Sequence, residues 1–190
     1  MRSVQGAAAI DVGTGTGRLA AQLRAAGIDL VAIDREPTML TLARTRVEAS
    51  VVVADALALP VRDRSVDIAL AVTVLEFVAD ASVAMAELAR VVRPGGRIVV
   101  GALNQRSPWG VAHHADFGSP PWNAAHFFTR AELRALGTPH GRAHVDAALY
   151  APRVFPLLGL VGPLVEQFGR VVPCWGAFKI LVVERDAAPG

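Results

Sequence analysis

The sequence predicts an α/β protein with a doubly wound, mostly parallel sheet, and three observations lead to this prediction. Short apolar runs alternate five times with helix-forming segments, which is the pattern of a parallel sheet covered by helices on both faces. Apolar residues make up 53% of the 190 residues and charged residues 19%, so a sizeable core is expected. A glycine-rich segment, residues 13–17, directly follows the first apolar run and predicts a tight strand-to-helix turn.

The individual elements follow from apolar runs, helix formers and turn residues. Gly27 is a C-cap candidate for the first helix, and Pro37 fits the first turn of the second. A Pro-Gly-Gly sequence at 94–96 predicts a turn before the fifth strand. The predicted strands are 7–12, 30–33, 51–54, 66–72 and 97–102, and the predicted helices are 18–26, 37–47 and 83–92.

The pattern is less regular after residue 104. Residues 105–128 are rich in proline, tryptophan and histidine and predict a long loop. Thr129 and Glu132 fit a capping box, so a short helix is expected to start there. Two more strands are predicted, at 143–150 and 177–184. The apolar segment 155–168 is expected to pack in the core, and the alternatives are that it covers a hydrophobic acceptor, pairs with another subunit or contacts a membrane.

Composition argues against several classes of protein. The formal net charge is +2 without a run of like charge, so nucleic-acid binding is not expected. Cys174 is the only cysteine, which excludes an internal disulfide and a cysteine metal cluster, and no histidine or carboxylate spacing predicts a metal site. No charge-free apolar stretch is long enough to span a membrane, and no secretion signal opens the chain, so a cytoplasmic protein is expected.

Three acidic residues end the first three predicted strands: Asp11, Asp34 and Asp55. In an open parallel sheet, ligands bind at the carboxyl ends of the strands, so these side chains are candidates for ligand contacts. Asp34 lies 19 residues after Gly15 (34 − 15), where a carboxylate can accept hydrogen bonds from both hydroxyls of a ribose. The alternatives are that Asp34 caps a helix and that Asp55 is an ordinary loop acid.

The glycine spacing indicates which nucleoside is bound. Gly13, Gly15 and Gly17 give G-x-G-x-G, and Arg18 stands where the dinucleotide fingerprint has Gly or Ala. The carboxylate of Asp11 beside this loop repels a pyrophosphate and can attract an ammonium group. A cationic amino-acid nucleoside is therefore favoured over NAD(P), and an NAD(P)-dependent oxidoreductase is the less favoured alternative.

These motifs together resemble a known family. Residues 9–19 are similar to motif I of class I S-adenosylmethionine-dependent methyltransferases. Residues 31–34 with Met39 resemble the ribose-binding segment of that family, and residues 54–60 resemble its adenine-binding turn. Residues 65–68 and 88–96 resemble two later landmarks. The resemblance extends over residues 7–104, and the subgroup that fits best contains the ubiquinone and menaquinone biosynthesis methyltransferases.

The resemblance implies a Rossmann-like, seven-stranded sheet with a reversed last strand. It implies one methyltransferase domain over 1–190, in which 1–104 bind the cofactor and 105–190 supply the substrate-side loop and the last strands. The implied activity is methyl transfer from S-adenosylmethionine to a small-molecule acceptor. The glycines would pass beneath the methionine part, Asp34 would hold the ribose, and Asp55 with the Ala56 amide would hold the adenine. The implied cofactor-binding residues are Asp11, Gly13, Gly15, Gly17, Asp34, Arg35, Met39, Asp55, Ala56 and Thr73.

The catalytic residues are not identified by the sequence. His113, His114 and His126 are weak candidates for a general base, and the alternative is a surface loop whose aromatic residues pack locally. Glu76 fits either a solvated face or a polar contact in the cleft, and Asp67 fits a structural role. The oligomeric state is not determined, and a homodimer is possible.

The front of the sequence departs from the family pattern. Only about six residues precede the first strand, where family members have helices that cover the cofactor. We therefore expect a more exposed cofactor site than is usual. A non-catalytic or partner-dependent cofactor-binding fragment is the second hypothesis for function.

Overall fold

The computed structural model describes residues 5–107, 111, 118–148 and 176–187. Seven strands form one sheet in the order β3-β2-β1-β4-β5-β7-β6. The first five strands are parallel, and β7 runs antiparallel to both of its neighbours. The predicted fold class and the reversed last strand are therefore confirmed. The strands are β1 (Ala8–Val12), β2 (Asp29–Asp34), β3 (Ser50–Val53), β4 (Val66–Val72), β5 (Val92–Leu103), β6 (Arg142–Ala148) and β7 (Phe178–Glu184).

Four α-helices accompany the sheet in the described residues. Gly27 ends the first helix as predicted, since its φ is +82° and its N–H donates to the carbonyl of Arg24 at 2.9 Å. Pro37 opens the second helix, where its missing N–H costs nothing. The helices are α1 (Arg18–Ala25), α2 (Pro37–Arg44), α3 (Ala81–Val91) and α4 (Arg130–Gly137).

The sheet is buried on both faces because side chains alternate along each strand. On β1, Ile10 belongs to the larger core cluster with α3, and its neighbour Ala9 belongs to a second cluster with Ala20 of α1. On β2, Ile33 belongs to the larger cluster and Leu30 belongs to the second cluster. The continuous apolar runs in the sequence therefore correspond to strands covered from both sides.

The prediction of a turn before the fifth strand is wrong in its placement, because β5 begins at Val92 and includes the Pro-Gly-Gly sequence. Val92 pairs with Val66 and Arg97 pairs with Ile68, so residues 93–96 face a single residue, Asp67. The chain bulges there within the strand. A Cβ on Gly96 would lie 2.6 Å from the carbonyl oxygen of Asp67, which explains why glycine fits this position.

The less regular half agrees with prediction where it is described. The capping box is present: the Thr129 hydroxyl accepts from the N–H of Glu132, and the Glu132 carboxylate accepts from the N–H of Thr129. A short 3₁₀ helix, Trp122–Ala124, lies within the predicted loop. Cys174 and the apolar segment 155–168 lie outside the described residues. No helix in the described part of the chain is long and apolar enough to cross a membrane.

We expect Asp80→Ala to lower the free energy of unfolding by about 1 kcal/mol, the usual effect of removing an N-cap. The Asp80 carboxylate caps α3 by accepting from the N–H of Ser82 at 2.8 Å and of Val83 at 3.1 Å. This cap explains why α3 begins at Ala81, two residues before the predicted start. Urea denaturation measures the effect. Asp80→Asn keeps a capping oxygen and serves as the control; equal losses in both variants would contradict the capping role.

Candidate functional site

A cavity of about 350 Å³ lies where the strand order reverses, between β1 and β4. This reversal is the position at which open parallel sheets bind ligands. We call it the switch-point cavity. It is lined by Val12, Gly13, Gly15, Asp34, Arg35, Met39, Ala54, Asp55, Ala56, Leu57, Thr73, Val74, Phe77, Val78 and Ala79.

The glycine loop forms the part of this cavity nearest to β1. Gly13 and Gly15 have φ values of +70° and +55°, which side chains rarely adopt. A Cβ on Gly13 would overlap the Val74 side chain, whereas a Cβ on Gly15 would meet no described protein atom within 4 Å. Gly15 therefore leaves the cavity open and lets a ligand approach the backbone closely.

Asp34 ties the glycine loop to the end of β2. Its Oδ2 accepts from the N–H of Gly15 at 2.7 Å, and its Oδ1 accepts from the N–H of Glu36 at 2.9 Å. The side chain is half-buried and lines the switch-point cavity. A carboxylate offers about four lone-pair positions, so two of them stay available for a ligand.

Asp55 and Ala56 follow β3 and reach the same cavity. The Asp55 carboxylate accepts from the N–H of Leu57 at 2.9 Å, which holds the turn after the strand. Ala54 places this turn beside β2, because its N–H donates to the carbonyl of Asp34 at 3.0 Å. The second and third predicted acids are therefore brought together by the parallel pairing of β2 with β3.

Two side chains at the cavity have unusual environments. Met39, in the first turn of α2, is 41% exposed although it is a large hydrophobic residue. Thr73 follows β4 with a φ of +55°, which is rare for a β-branched residue. Its N–H donates to the carbonyl of Gly101 at 2.8 Å, so pairing with β5 holds it there. Strain of this kind concentrates at functional sites.

Asp11 and Gly17 do not line the cavity, although both are predicted cofactor residues. Asp11 is 2% exposed, and its Oδ2 accepts from the hydroxyl of Thr14 at 2.7 Å beneath the glycine loop. Burial raises its pKa to about 6, against the Thr14 hydrogen bond that lowers it. Gly17 packs against α2, where a Cβ would lie 3.0 Å from the Cα of Ala43. These two residues support the loop from behind.

The histidine candidates do not meet the switch-point cavity in the described part of the chain. His126 is exposed, with its Nε2 3.6 Å from Glu132 Oε1, and its ring packs edge-on against Phe128. It lines a separate shallow cavity beside α3 and α4. His113 and His114 lie outside the described residues.

Glu76 is the functional candidate that the sequence left undecided, and it is 2% exposed rather than solvated. Its Oε1 accepts from the N–H of Leu103 at 2.8 Å, and its Oε2 has no hydrogen-bond partner among the residues that the structure describes. Burial raises its pKa. Asp67 has the predicted structural role, since it accepts from the N–H of Ala8 at 2.9 Å and pairs with Arg93.

Sequence reasoning missed the wall of the cavity that follows Thr73. Residues 77–79 and Val74 line it, and the Phe77 ring packs against Trp122 with ring centroids 5.3 Å apart. The available signal was their position just after a parallel strand, because every such segment in this half reaches the same edge of the sheet. In the described residues, no group of three or more histidine, cysteine or acidic side chains could hold a metal ion.

Comparison with known proteins agrees with this fold. Residues 10–100 match the model of a family described as a methyltransferase domain. A SAM-dependent methyltransferase of Thermotoga maritima, described as a possible histamine N-methyltransferase, has a TM-score of 0.73 at 25% identity and covers 95% of this chain and 83% of its own. Residues 10–100 are therefore similar to methyltransferase domains of the class I, S-adenosylmethionine-dependent type. The resemblance found in the sequence, with S-adenosylmethionine as the cofactor of the class, is confirmed.

Within that class, the domain resembles the menaquinone methyltransferases. A demethylmenaquinone methyltransferase of Thermus thermophilus is 43% identical over 98 residues, which are 48% of this chain and 44% of the relative. An uncharacterized methyltransferase of Mycobacterium tuberculosis is 38% identical over 103 residues, which are 53% of this chain and 42% of the relative. The chain thus spans less than half the length of these curated relatives.

Proposed function

We propose that this chain binds S-adenosylmethionine in the switch-point cavity and transfers its methyl group to a small-molecule acceptor. The observation that carries the proposal is that Gly15, Asp34 and Asp55, from three separate strand ends, line one cavity. A tight turn without a ligand would need neither the open space at Gly15 nor two acids beside it.

Each residue has a role that its environment supports. Asp34 keeps acceptor capacity for the hydroxyls of a ribose after bonding two backbone amides. Asp55 is exposed and can accept from an adenine amino group, with the Ala56 amide beside it. The exposed thioether of Met39 offers an apolar surface for the adenosine. Arg35 and Thr73 complete the lining.

The chemistry needs orientation more than it needs a side-chain acid or base. When bound, S-adenosylmethionine supplies a methyl group on a sulfonium, which is already a good leaving group. The chain has to hold the acceptor in line with that methyl group, and such positioning can lower a barrier by about 7–11 kcal/mol. The Phe77 ring lines one side of the cavity and packs against the Trp122 ring behind it.

An NAD(P)-dependent oxidoreductase is disfavoured by two features. First, Arg18 begins α1 at the position where the dinucleotide fingerprint needs a small residue. Second, the buried carboxylate of Asp11 in β1 lies just behind the glycine loop. A pyrophosphate at this helix end would face that carboxylate.

Isothermal titration calorimetry tests the proposal with three ligands: S-adenosylmethionine, S-adenosylhomocysteine and NADH. We expect the first two to bind with one site per chain and NADH to give no binding heat. Binding of NADH alone would support the oxidoreductase alternative. If S-adenosylhomocysteine binds but methyl-labelled S-adenosylmethionine labels no acceptor in a panel of small molecules, the result would favour the cofactor-binding fragment over the methyltransferase.

A further inference from the structure

A second cavity of about 350 Å³ lies at the same edge of the sheet, beside the end of β5. The ends of β5 and β6, the start of β7 and the segment leading into α4 contribute to it. We call it the Lys179 cavity. Its side chains include three cations, two aromatic rings and one acid: Arg106, Arg130, Lys179, Phe127, Phe128 and Asp146.

The Lys179 ammonium group is half-buried without a described counter-ion. No carboxylate of the described residues lies within 4.0 Å of it, which is the distance of an ion pair. Burial lowers the pKa of Lys179, and the Arg106 guanidinium nearby lowers it further. A half-buried cation beside a second cation is less favourable than a solvated one unless an anion compensates it.

The other charges of the cavity do not supply that anion. The Asp146 carboxylate accepts from the N–H of Ala147 at 2.8 Å at the exposed rim. Arg130 donates to the carbonyl oxygen of Val145, so its guanidinium is already partly engaged. Glu76 and Glu132 stabilise charged Lys179 only through longer-range attraction.

The 3₁₀ helix Leu75–Phe77 contacts residues of the switch-point cavity and the segment that leads into the Lys179 cavity. Phe77 lines the switch-point cavity. The carbonyl of Glu76, which precedes Phe77, accepts from the N–H of His126 at 2.9 Å. His126 in turn directly precedes Phe127 and Phe128, which line the Lys179 cavity. The buried carboxylate of Glu76 also holds the N–H of Leu103 at the end of β5. A molecule in the Lys179 cavity would therefore lie beside a molecule in the switch-point cavity.

From this arrangement we infer that the Lys179 cavity binds the methyl acceptor, and that the acceptor joins an apolar body to an anionic group, a carboxylate or a phosphate. The inference rests on the proposed function, since a methyl acceptor has to lie beside the methyl donor for the transfer to occur. Lys179 and Arg106 pair with the anionic group, and Phe127 and Phe128 pack against the apolar body. Lys179 acts here as a specificity-determining residue for the acceptor.

Benzoate is a suitable probe, because it combines a carboxylate with an aromatic ring, and benzamide is its neutral counterpart. We expect benzoate to bind saturably in ligand-observed NMR and benzamide to bind at least 10-fold more weakly. Inorganic phosphate as a competitor separates the two anions: displacement of benzoate favours a phosphate-bearing acceptor, and its failure favours a carboxylate. Equal binding of benzoate and benzamide would overturn the inference.

Variants locate the binding. Lys179→Met should weaken benzoate binding at least 10-fold, and Lys179→Arg should keep it within about 3-fold. Arg44→Met, in the exposed last turn of α2, is the matched control and should change nothing. Unchanged binding in Lys179→Met would overturn the inference.

A second measurement does not depend on a variant that folds. Lys179 is the only lysine of the sequence, so ¹³C reductive methylation labels two groups: the Lys179 side chain and the N-terminal α-amine. Benzoate should shift the Lys179 resonance, and benzamide should not. The cofactor titration is independent of this one. Cofactor binding without benzoate binding would defeat the acceptor site and leave the proposed function standing. Benzoate binding without cofactor binding would defeat the proposed function, and with it the assignment of the bound anion as a methyl acceptor.

Discussion

Asp34→Ala is expected to weaken S-adenosylmethionine binding about 10- to 150-fold, or ~1.5–3 kcal/mol, the scale of hydrogen bonds to a charged group. The variant loses the carboxylate proposed to hold the ribose. It also frees the N–H groups of Gly15 and Glu36, so the glycine loop is no longer fixed to β2. Isothermal titration calorimetry with S-adenosylmethionine measures the change.

Asp29→Ala is the matched control, because Asp29 begins the same strand at the opposite end of the sheet. Its side chain is 81% exposed and pairs with Arg24 at the surface, and such surface pairs contribute little. The affinity of the Asp29→Ala variant for S-adenosylmethionine should equal that of the unchanged chain. Wild-type affinity in Asp34→Ala would refute the role of Asp34, provided that thermal melting shows both variants folded.

Asp11→Asn is expected to stabilise the chain by up to about 3 kcal/mol at pH 8 and to change little at pH 4. Burial raises the pKa of Asp11 from 3.8 to about 6, so the folded chain holds this proton where the unfolded chain has lost it. This group's contribution to stability is therefore complete below pH 3.8 and is lost as the pH rises through 6. The difference between the two pKa values corresponds to about 3 kcal/mol.

Urea denaturation of both proteins at pH 4, 6 and 8 measures this effect. An asparagine oxygen can still accept from the Thr14 hydroxyl, so the variant keeps the hydrogen bond and loses only the charge. Asp29→Asn is the control. Its free energy of unfolding should change with pH in the same way as that of the unchanged chain, since the Asp29 side chain is exposed. If the free energy of unfolding of Asp11→Asn changed with pH in the same way as that of the unchanged chain, the Asp11 carboxyl would not titrate near pH 6.

A buried carboxylate that destabilises the folded chain at neutral pH is typical of a functional group rather than a structural one. Asp11 lies behind the glycine loop, next to Thr14 and close enough to Asp34 for their charges to repel. The ammonium end of S-adenosylmethionine would relieve both the burial cost and this repulsion. Asp11 thus has a role under the proposed function without lining the cavity.

Predictions from local signals succeeded because each depends on a few neighbouring residues. The strands of the first half are continuous apolar runs, and the capping box of Thr129 and Glu132 is a pattern of four consecutive residues. Gly27 ends the first helix because glycine readily adopts a positive φ. The segment 93–96 failed as a turn because its conformation depends on pairing with Asp67, almost thirty residues earlier. Nothing within the Pro-Gly-Gly sequence distinguishes a free turn from a bulge in a strand.

The sequence by itself determined the chemical groups of the site and their order along the chain, because glycines and acids at strand ends are local and covalently spaced. Only the tertiary structure decided which of them share a cavity. Strand pairing placed Asp34, Asp55 and Gly15 on one surface and left Asp11 and Gly17 beneath it. It also buried Glu76 and brought Lys179, from the last strand, beside Arg106, 73 residues earlier (179 − 106). Burial and charge proximity arise from packing between distant segments, so no local pattern contains them.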